Sequence, residues 1–552
     1  MVSSQCEYIL WEIGKNIDEK HLALYLSHLI VIFRELYPKY FYENKQGRNR
    51  DYPLEDLLGL TVWGDINNNE SCRAKAQLCR NFDESVRVLI DGKPSKSKIN
   101  DFSNEHKELI QAFDDFIVEF CYVSGLVEGN EFVGDGTFLD GWCNDFKALY
   151  PDEIKYIQKF LTEHDKHKTD YSILYSYYYL QNEVNDDFMR VKKELKDNIN
   201  IHGINLIIKS LESDDEYQKV MNKLDHMSEN ITKDTVKISI TDPDAHNMED
   251  KDKNWGFHYN LQEITDTKCG VIVDHYICKN PNDKNEVEKM VCRLINKFKH
   301  EGFDLGLDNG YWNLKLLINI IQETCVEIVI PDKNNASKNK EKIIKDNKSN
   351  KKYDEYVKRK NKNKKHRTFI ESKDFNYLED EDAFECPLTK YELSFQQITE
   401  DKNGIEYREY WTNECKKCPY LNKCTSQNKR KLRRINEPEI IHINSYYHSE
   451  KGKEVSKKRG YYAEGNFAIL LGIRNFRGIK VLGIDKVDLE LTRFVIVHNT
   501  MKIAENMELT VLKKVLKYIK SQKKNRRATI DMLYELQGNF IEKDGKIIDV
   551  LI

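Results

Sequence analysis

The sequence predicts a mixed α/β protein with a helical N-terminal region. Short apolar runs with nearby glycines, such as residues 132–137 and 303–307, are typical of buried strands. Other stretches carry apolar residues at intervals of three and four, which is the spacing of an amphipathic helix. The two kinds of segment alternate between residues 130 and 332. This alternation favours a sheet covered by helices.

The first part of the chain has the pattern of a helical domain. Residues 7–41 predict one or two amphipathic helices with many aromatic side chains, and residues 52–125 predict several short helices. Ser71 stands where an N-cap would satisfy free backbone N–H groups at a helix start. We therefore expect a helical N-terminal domain over residues 1–128.

The segments that follow predict a definite order of elements. A first strand over residues 132–137 is followed by a helical insertion over residues 148–235, which is rich in Tyr, Lys and Glu. Turn chemistry at Gly270 then predicts a hairpin. The hairpin strands and the later elements are expected at 256–266 (strand), 271–278 (strand), 283–301 (helix), 303–307 (strand), 313–324 (helix) and 325–330 (strand).

This order matches the ribonuclease H-like fold, in which the first and fourth strands lie side by side. Such adjacency would bring together Asp135 and Asp308, which are 173 positions apart in the sequence. The predicted core spans residues 129–147 and 236–332 and is completed by residues 446–505. The remaining expected regions are a helical insertion at 148–235, a basic linker with a zinc-ribbon-like, four-cysteine insertion at 333–445, and a basic C-terminal tail at 506–552.

Three acidic residues that are far apart in the chain are candidates for one metal site. Asp135 and Asp308 each end a short apolar run and have glycine neighbours, which let a ligand approach the backbone closely. Glu464 lies in a segment that predicts a helix. Such carboxylates suit a pair of hard divalent cations that act on the attacking and leaving oxygens at a phosphate. Each residue alone is more often a turn, cap or surface residue, so the hypothesis depends on the set.

A cysteine cluster precedes Glu464. Cys386, Cys415, Cys418 and Cys424 have the spacing C-x28-C-x2-C-x5-C. Four thiolates suit tetrahedral zinc, and a C-x2-C pair holds one metal from a tight turn. Four protein ligands leave no open position, so such a zinc ion would be structural. An iron–sulfur cluster and unligated thiols remain as alternatives.

Charge and cysteine usage limit the class of protein. The net charge is only −4, but residues 333–367 hold fifteen Lys or Arg against four Asp or Glu. Two further basic blocks occupy residues 429–434 and 513–527. Each block alone is typical of a solvated loop or helix face, whereas the three together favour contact with a phosphate backbone.

Thirteen Cys, most of them scattered in apolar stretches, indicate buried thiols in a reducing compartment. With no apolar run of about 18 residues and no secretory leader, we expect a cytoplasmic protein without a membrane span.

The chain resembles the DDE transposases of bacterial and archaeal insertion sequences, because it carries seven short motifs of that family in the same order. The branch concerned has an N-terminal helical domain and a cysteine cluster before the last Glu. The motifs that carry the resemblance are Val133-Gly-Asp-Gly-Thr137, Thr241-Asp-Pro-Asp-Ala245, Gly256-Phe-His-Tyr-Asn-Leu-Gln262, Asn280-Pro-Asn-Asp-Lys284, Leu307-Asp-Asn-Gly-Tyr311, Ile330-Pro-Asp332 and the cysteine spacing.

The resemblance implies an activity and partners. Asp135, Asp308 and Glu464 would hold two Mg²⁺ or Mn²⁺ ions for DNA strand cleavage and strand transfer. The DNA would be the inverted-repeat ends of the element and a target. The protein would act as a homodimer, with residues 1–128 recognising DNA ends or mediating dimerisation.

Two further sets of residues are candidates for DNA contact. His258 and Asn260 alternate with apolar residues, so together with Gln262 they share one face of a strand. Near Glu464, related transposases carry Arg four residues before the Glu and Lys seven after it, where this chain has Gly460 and Leu471. Arg459, Arg474 and Arg477 stand nearby as substitutes. These departures keep two rival functions open: an inactive DNA-binding descendant, and a metal-dependent nuclease without joining activity.

Overall fold

The fold is taken from a computed structural model of the chain. The residues described below are 18, 20–41, 52–67, 71–81, 84–143, 147–163, 214–232, 235–249, 255–280, 282–331, 370, 372–378, 380–400, 406–425, 427–435, 438–470, 479–523 and 527–552. They divide into two compact units. The first unit comprises residues 1–282 and 460–552, and the second comprises residues 283–459.

Helices dominate both ends of the chain. The α-helices of the described residues are α1 (Leu22–Leu36), α2 (Leu54–Ile66), α3 (Cys72–Leu78), α4 (Glu84–Arg87), α5 (Lys96–Glu105), α6 (Lys107–Val123), α7 (Pro151–Glu163), α8 (Asp214–Glu229), α9 (Glu286–Phe298), α10 (Leu314–Glu323), α11 (Leu421–Cys424), α12 (Pro438–His448), α13 (Glu450–Ala468), α14 (Ile484–Asn506), α15 (Leu509–Gln522) and α16 (Asp531–Tyr534).

Strands occupy the middle of the chain and its last residues. They are β1 (Glu131–Asp140), β2 (Ala148–Leu149), β3 (Ile238–Ser239), β4 (His246–Glu249), β5 (Trp255–Asp266), β6 (Ile272–Cys278), β7 (Asp304–Gly306), β8 (Glu327–Val329), β9 (Asn376–Leu378), β10 (Ala383–Glu385), β11 (Glu392–Glu400), β12 (Glu406–Trp411), β13 (Leu432–Ile435), β14 (Phe540–Lys543) and β15 (Lys546–Val550).

The main sheet of the first unit is antiparallel. Its strands follow the order β2–β3–β4–β5–β1, and β6 also pairs with β5. The predicted hairpin is present as β5 and β6, and Gly270 has φ +74° in the connecting turn. That left-handed backbone conformation favours glycine, which lacks a Cβ. The short strands β2, β3 and β4 were not predicted, so residues 148–149 are strand and not helix.

The second unit contains two separate pieces of sheet. β7 and β8 pair in parallel, and α10 between them provides the crossover that such a pair needs. A five-stranded antiparallel sheet follows, in the order β13–β12–β11–β10–β9. The mixed α/β class is therefore as predicted, and the elements are compatible with a ribonuclease H-like core. The predicted adjacency of the first and fourth strands concerns both units and stays a prediction.

The N-terminal helices pack against the C-terminal helices. Most side chains of α1 are buried, and the Tyr25 hydroxyl donates to the backbone oxygen of Met507 at 2.9 Å. Lys523, after α15, pairs with Glu35 at 2.5 Å. Within the segment predicted as a basic C-terminal tail, α15 buries Leu509, Val511, Leu512, Val515 and Ile519.

Of four cysteines that were expected to be buried, two are buried and two are exposed. Cys121 and Cys278 are buried, as their apolar surroundings predict. Cys292 and Cys325 are exposed, which corrects the expectation of buried thiols at these two positions. Cys292 lies on the outer side of α9, whose Val291 and Leu294 face the core.

A single asparagine ties α14 to the hairpin. Asn499 is fully buried, and its side chain donates to the backbone oxygen of Ile272 at 2.8 Å and accepts from the Ile272 N–H at 2.9 Å. His498 lies 2.9 Å from the backbone oxygen of Gly270 in the same hairpin. The α14 side chains thereby pair the backbone groups at the start of β6.

We predict that Asn499→Ala destabilises the first unit by about 2–4 kcal/mol, because it leaves two buried backbone groups without partners. Urea denaturation measures the effect. Asn506→Ala on the same helix is the matched control, since Asn506 bonds to its own helix at the backbone oxygen of Lys502. Equal losses of stability in the two variants would contradict this account of the Asn499 contact.

Candidate functional site

Asp135 lies in the middle of β1, in the first unit. Its side chain is buried, and Oδ1 accepts a hydrogen bond from the Gly136 N–H at 2.8 Å. In the antiparallel register of β1 and β5, Asp135 stands directly opposite Glu263. Opposed residues of an antiparallel pair project to the same face of the sheet. Two acidic side chains therefore share one buried face.

Glu263 is held by a small hydrogen-bond network. Its Oε1 accepts from Asn466 Nδ2 at 2.7 Å and from Thr265 Oγ1 at 3.0 Å. Asn466 Nδ2 also lies 3.0 Å from Thr265 Oγ1, and all three residues are buried. Burial raises the pKa of Glu263 to about 7, and the Asp135 charge adds to the rise, while the two hydrogen bonds oppose it.

The network fixes the helix that carries Glu464. Glu464 and Asn466 both lie in α13, and Ala463, Asn466 and Phe467 are buried there. Tyr462 is close to the β5–β6 turn, because its ring atoms lie 2.9 Å from the position that a Cβ on Gly270 would take. Glu464 itself is exposed. At about 100° per residue, it projects roughly 200° around the helix from Asn466.

Asp308 lies in the second unit, just after β7. It caps the short 3-10 helix Asn309–Tyr311, since its Oδ1 accepts from the Gly310 N–H at 2.8 Å. A Cβ at Gly310 would lie 2.9 Å from this same oxygen, so a larger residue there would displace the Asp308 carboxylate. Asn309 Nδ2 donates to the backbone oxygen of Pro331 at 2.9 Å, which fixes the loop to the end of β8.

The three acidic residues are thus divided between the units. Asp135 and Glu464 belong to the first unit and Asp308 to the second. Among the described residues, no three His, Cys, Asp or Glu side chains are arranged to hold a metal ion. A joint site of the three carboxylates therefore stays a prediction. The residue types do fit hard cations, which prefer carboxylate oxygens.

The polar residues of β5 lie on the other face of the sheet from Asp135, because side chains alternate along a strand. His258 Nδ1 is 3.0 Å from Asp140 Oδ1, and Asn260 Nδ2 donates to the backbone oxygen of Asn280 at 3.1 Å. Gln262 Nε2 donates to Asn260 Oδ1 at 2.9 Å. All three are buried, so these contacts are internal to the protein. The contact of His258 and Asn260 with DNA stays a prediction.

Three arginines near Glu464 were predicted to contact DNA. Arg459 is half-buried in α13. Arg474 and Arg477, like Leu471, lie outside the described residues. The helix continues through Gly460 and Gly465, and an added Cβ would meet nothing within 4 Å at either position.

Two of the four cysteines of the predicted cluster, Cys386 and Cys424, belong to the small core of the five-stranded sheet. Cys386 follows β10, Cys415 lies in the 3-10 helix Asn413–Lys417, Cys418 follows it, and Cys424 ends α11. Burial raises the pKa of Cys424 to about 12, and the other three thiols add to the rise. Their electrostatic influence on one another indicates that the four sulfurs lie in one neighbourhood. The donor set fits zinc, although the side chains are not arranged as a closed metal site in the described part of the chain.

Sequence reasoning missed Glu263, Thr265 and Asn466. A signal for Glu263 was available, because Tyr259, Leu261 and Glu263 share one strand face and a carboxylate interrupts its apolar pattern. Nothing in the local sequence marks Asn466 as its partner, since 203 positions separate the two residues.

We predict that Glu263→Gln stabilises the protein increasingly as the pH rises. The folded-state pKa of about 7 exceeds the ordinary 4.5, so the stabilising contribution of protonated Glu263 is complete below pH 4.5 and is lost as the pH rises through 7. The amide side chain of the variant would accept the same hydrogen bonds without this loss. The difference in unfolding free energy between variant and wild type should grow by about 2–3 kcal/mol from pH 5 to pH 8.

Urea denaturation in EDTA at both pH values measures this difference. Glu505→Gln is the control, because the Glu505 side chain is 54% exposed on α14. A Glu263→Gln effect that is the same at pH 5 and pH 8 would show that Glu263 keeps an ordinary pKa.

Comparison with known protein families identifies one segment of the chain. Curated proteins and solved structures give no match. Residues 385–504 match the model of the family described as "Transposase DDE domain". The matched segment includes Glu464, Asn466 and the four cysteines of the cluster, and it excludes Asp135 and Asp308. This match over residues 385–504 supports the resemblance of the chain to the DDE transposases of insertion sequences.

Proposed function

We propose that the protein is a transposase that cleaves DNA strands at the ends of its own insertion sequence and joins them to target DNA. The Asn466–Glu263 hydrogen bond carries this proposal, because it fixes the helix of the matched DDE segment on the strand next to Asp135. The buried contact brings the helix of Glu464 close to β5, although Glu464 itself projects from the solvent side of that helix.

In the proposed mechanism, Asp135, Asp308 and Glu464 would bind two Mg²⁺ or Mn²⁺ ions. These ions would neutralise negative charge on the attacking and leaving oxygens at the phosphate. Asp135 would contribute from a rigid strand, and its orientation is set by the Gly136 N–H. Glu464 would contribute from the solvent side of α13, where DNA has access.

The resemblance to DDE transposases implies two steps. A water oxygen attacks the phosphate at the element end, and the 3′-oxygen leaves and takes up a proton. The freed 3′-hydroxyl then loses its proton and attacks a phosphate of target DNA, whose own 3′-oxygen leaves. No covalent bond to the protein forms. Glu263 has a positioning role in this scheme, because its Oε1 accepts hydrogen bonds from Asn466 and Thr265.

An inactive, DNA-binding descendant is the second candidate function. The exposed Glu464, which points away from the Glu263 network, and the Gly460 departure favour it. A nuclease that cuts without joining is the third. A homodimer and a cytoplasmic location belong to the proposal on the strength of the family alone. Within the described part of the chain, no helix has the length and apolarity that a membrane span requires.

We predict that Asp135→Asn and Asp308→Asn each reduce cleavage by more than about 100-fold, beyond the loss typical of residues that only support a metal ligand. The assay uses a plasmid carrying the native flanks of the gene, with Mg²⁺ or EDTA. Asp140→Asn is the matched control, because Asp140 ends the same strand but is exposed. It should keep most of the wild-type rate.

The products separate the three functions. Cleavage at the flanks with joining to target DNA supports the transposase, and cleavage without joining supports the nuclease. Binding to the flanks with no cleavage in either Mg²⁺ or Mn²⁺ supports the inactive descendant. If the two Asn variants cut as fast as the wild type, these aspartates are not metal ligands.

We further propose that Cys386, Cys415, Cys418 and Cys424 bind one structural zinc ion. Elemental analysis of the purified protein should find about one zinc per chain, and Cys418→Ser should lose most of it, because a structural site needs all four ligands. Cys292→Ser is the control, since Cys292 is exposed in the same unit. Iron with visible absorption would favour a cluster, and absence of both metals would favour unligated thiols.

A further inference from the structure

The five-stranded sheet of the second unit has one face that its own core does not cover. Its inner face packs on a cluster that includes Leu393, Tyr410 and Leu432 together with Cys386 and Cys424. On the outer face, Tyr407, Glu409 and Trp411 alternate along β12. The edge strand β13 places Arg433 opposite Glu409 on that same face. Lys431 and Lys429 continue the alternation just before the strand begins.

These three cations form a basic stripe, by which we mean Lys429, Lys431 and Arg433. Aromatic rings lie beneath all of them. Lys429 Nζ is 4.3 Å and Lys431 Nζ is 4.9 Å from the centroid of the Trp411 ring. Arg433 Cζ is 5.9 Å from the centroid of the Tyr407 ring. Contacts of this kind hold a cation over a ring while leaving its other side free for an anion.

One carboxylate lies below the basic stripe. The Glu409 side chain is 2% exposed, and its oxygens lie 2.8 Å from Arg433 and 3.5 Å from Lys431. Burial opposes ionisation of Glu409, but hydrogen bonds from Arg433 and Gln397 and the charges of both cations lower its pKa. Around the stripe, three positive charges surround one negative charge, which leaves this part of the outer face net positive. Arg433 and Lys431 remain 57% and 40% exposed, so solvent reaches both.

We propose that the basic stripe binds the sugar–phosphate backbone of the DNA on which the protein acts. This proposal rests on the proposed function, because it names a contact surface for the same DNA. Ordered cations suit phosphate binding, since the rings and Glu409 have already restricted side chains that would otherwise lose entropy on contact. Phosphate contacts of this kind are insensitive to base sequence and weaken with salt.

The test measures the binding of the full-length protein to fluorescent duplex DNA in EDTA, over a range of salt concentrations. The double variant Lys431→Gln/Arg433→Gln should reduce the slope of log K against log salt by about 2, since each lost phosphate contact removes about 0.9. At about 0.1 M salt this amounts to a loss of about 10–100-fold in affinity. The loss should be the same for the native flanks and for unrelated DNA.

Lys416→Gln/Lys417→Gln is the matched control. It removes the same charge from two exposed residues of the 3-10 helix Asn413–Lys417 in the same unit, which are not members of the basic stripe. Its salt slope should equal that of the wild type. The single variant Arg433→Lys keeps the charge and should therefore keep most of the wild-type slope of log K against log salt. This result would separate an effect of charge from an effect of misfolding.

Equal salt slopes for the wild type and the Lys431→Gln/Arg433→Gln variant would overturn the proposal. The cations of the stripe would then contact only the aromatic rings and Glu409 within the protein. Cleavage by the wild type in the plasmid assay would leave the proposed function intact in that case. A slope reduced equally by the control double variant would also overturn it, because the effect would then reflect total charge.

Discussion

The hydrogen bonds of Asn466 with Glu263 and Thr265 are the contact on which the candidate site of the first unit depends. They join α13 to β5, and β5 in turn sets the position of β1 through nine consecutive residue pairs. Because the donors and acceptors are buried, a shift of the helix along the strand would leave polar groups without partners. Such a penalty fixes the rotation and the height of α13, and with them the place of Glu464.

The buried carboxylate of Glu263 is electrostatically unfavourable, but it also specifies the position of α13. Glu263 lies next to Asp135, and both are buried, so two negative charges would repel each other where little water reaches them. The raised pKa of Glu263, about 7, relieves this conflict, because the side chain then stays protonated in a large share of the molecules near neutral pH. A fully apolar face would pack β5 at lower cost, but it would not specify one arrangement of α13. The polar contact therefore favours a unique geometry over maximum stability.

The sequence predicted the elements with strong periodicity and missed those that depend on distant partners. The hairpin of β5 and β6 and the helix α9 were visible from alternation, a turn glycine and the spacing of Val287, Val291 and Leu294. β2 and β3 have two residues each, which is too short for any period. In α15, the many basic residues drew attention away from the apolar residues, whose burial is seen only when α15 packs on α1. Asp135 and Glu464 were candidates from motifs, whereas the role of Asn466 required the fold.

The packing of α1 against α14 and α15 has a consequence for how the chain is made. The apolar side chains of α1 leave the ribosome well before their partners in α15, because most of the chain separates Leu36 from Leu509. At roughly 5–20 residues per second, synthesis of that interval takes on the order of 20–100 s. During this time the first helices are complete in sequence but lack their final neighbours. Their solubility in a growing polypeptide then depends on chaperones or on provisional contacts among α1, α2 and α6, which are already synthesised.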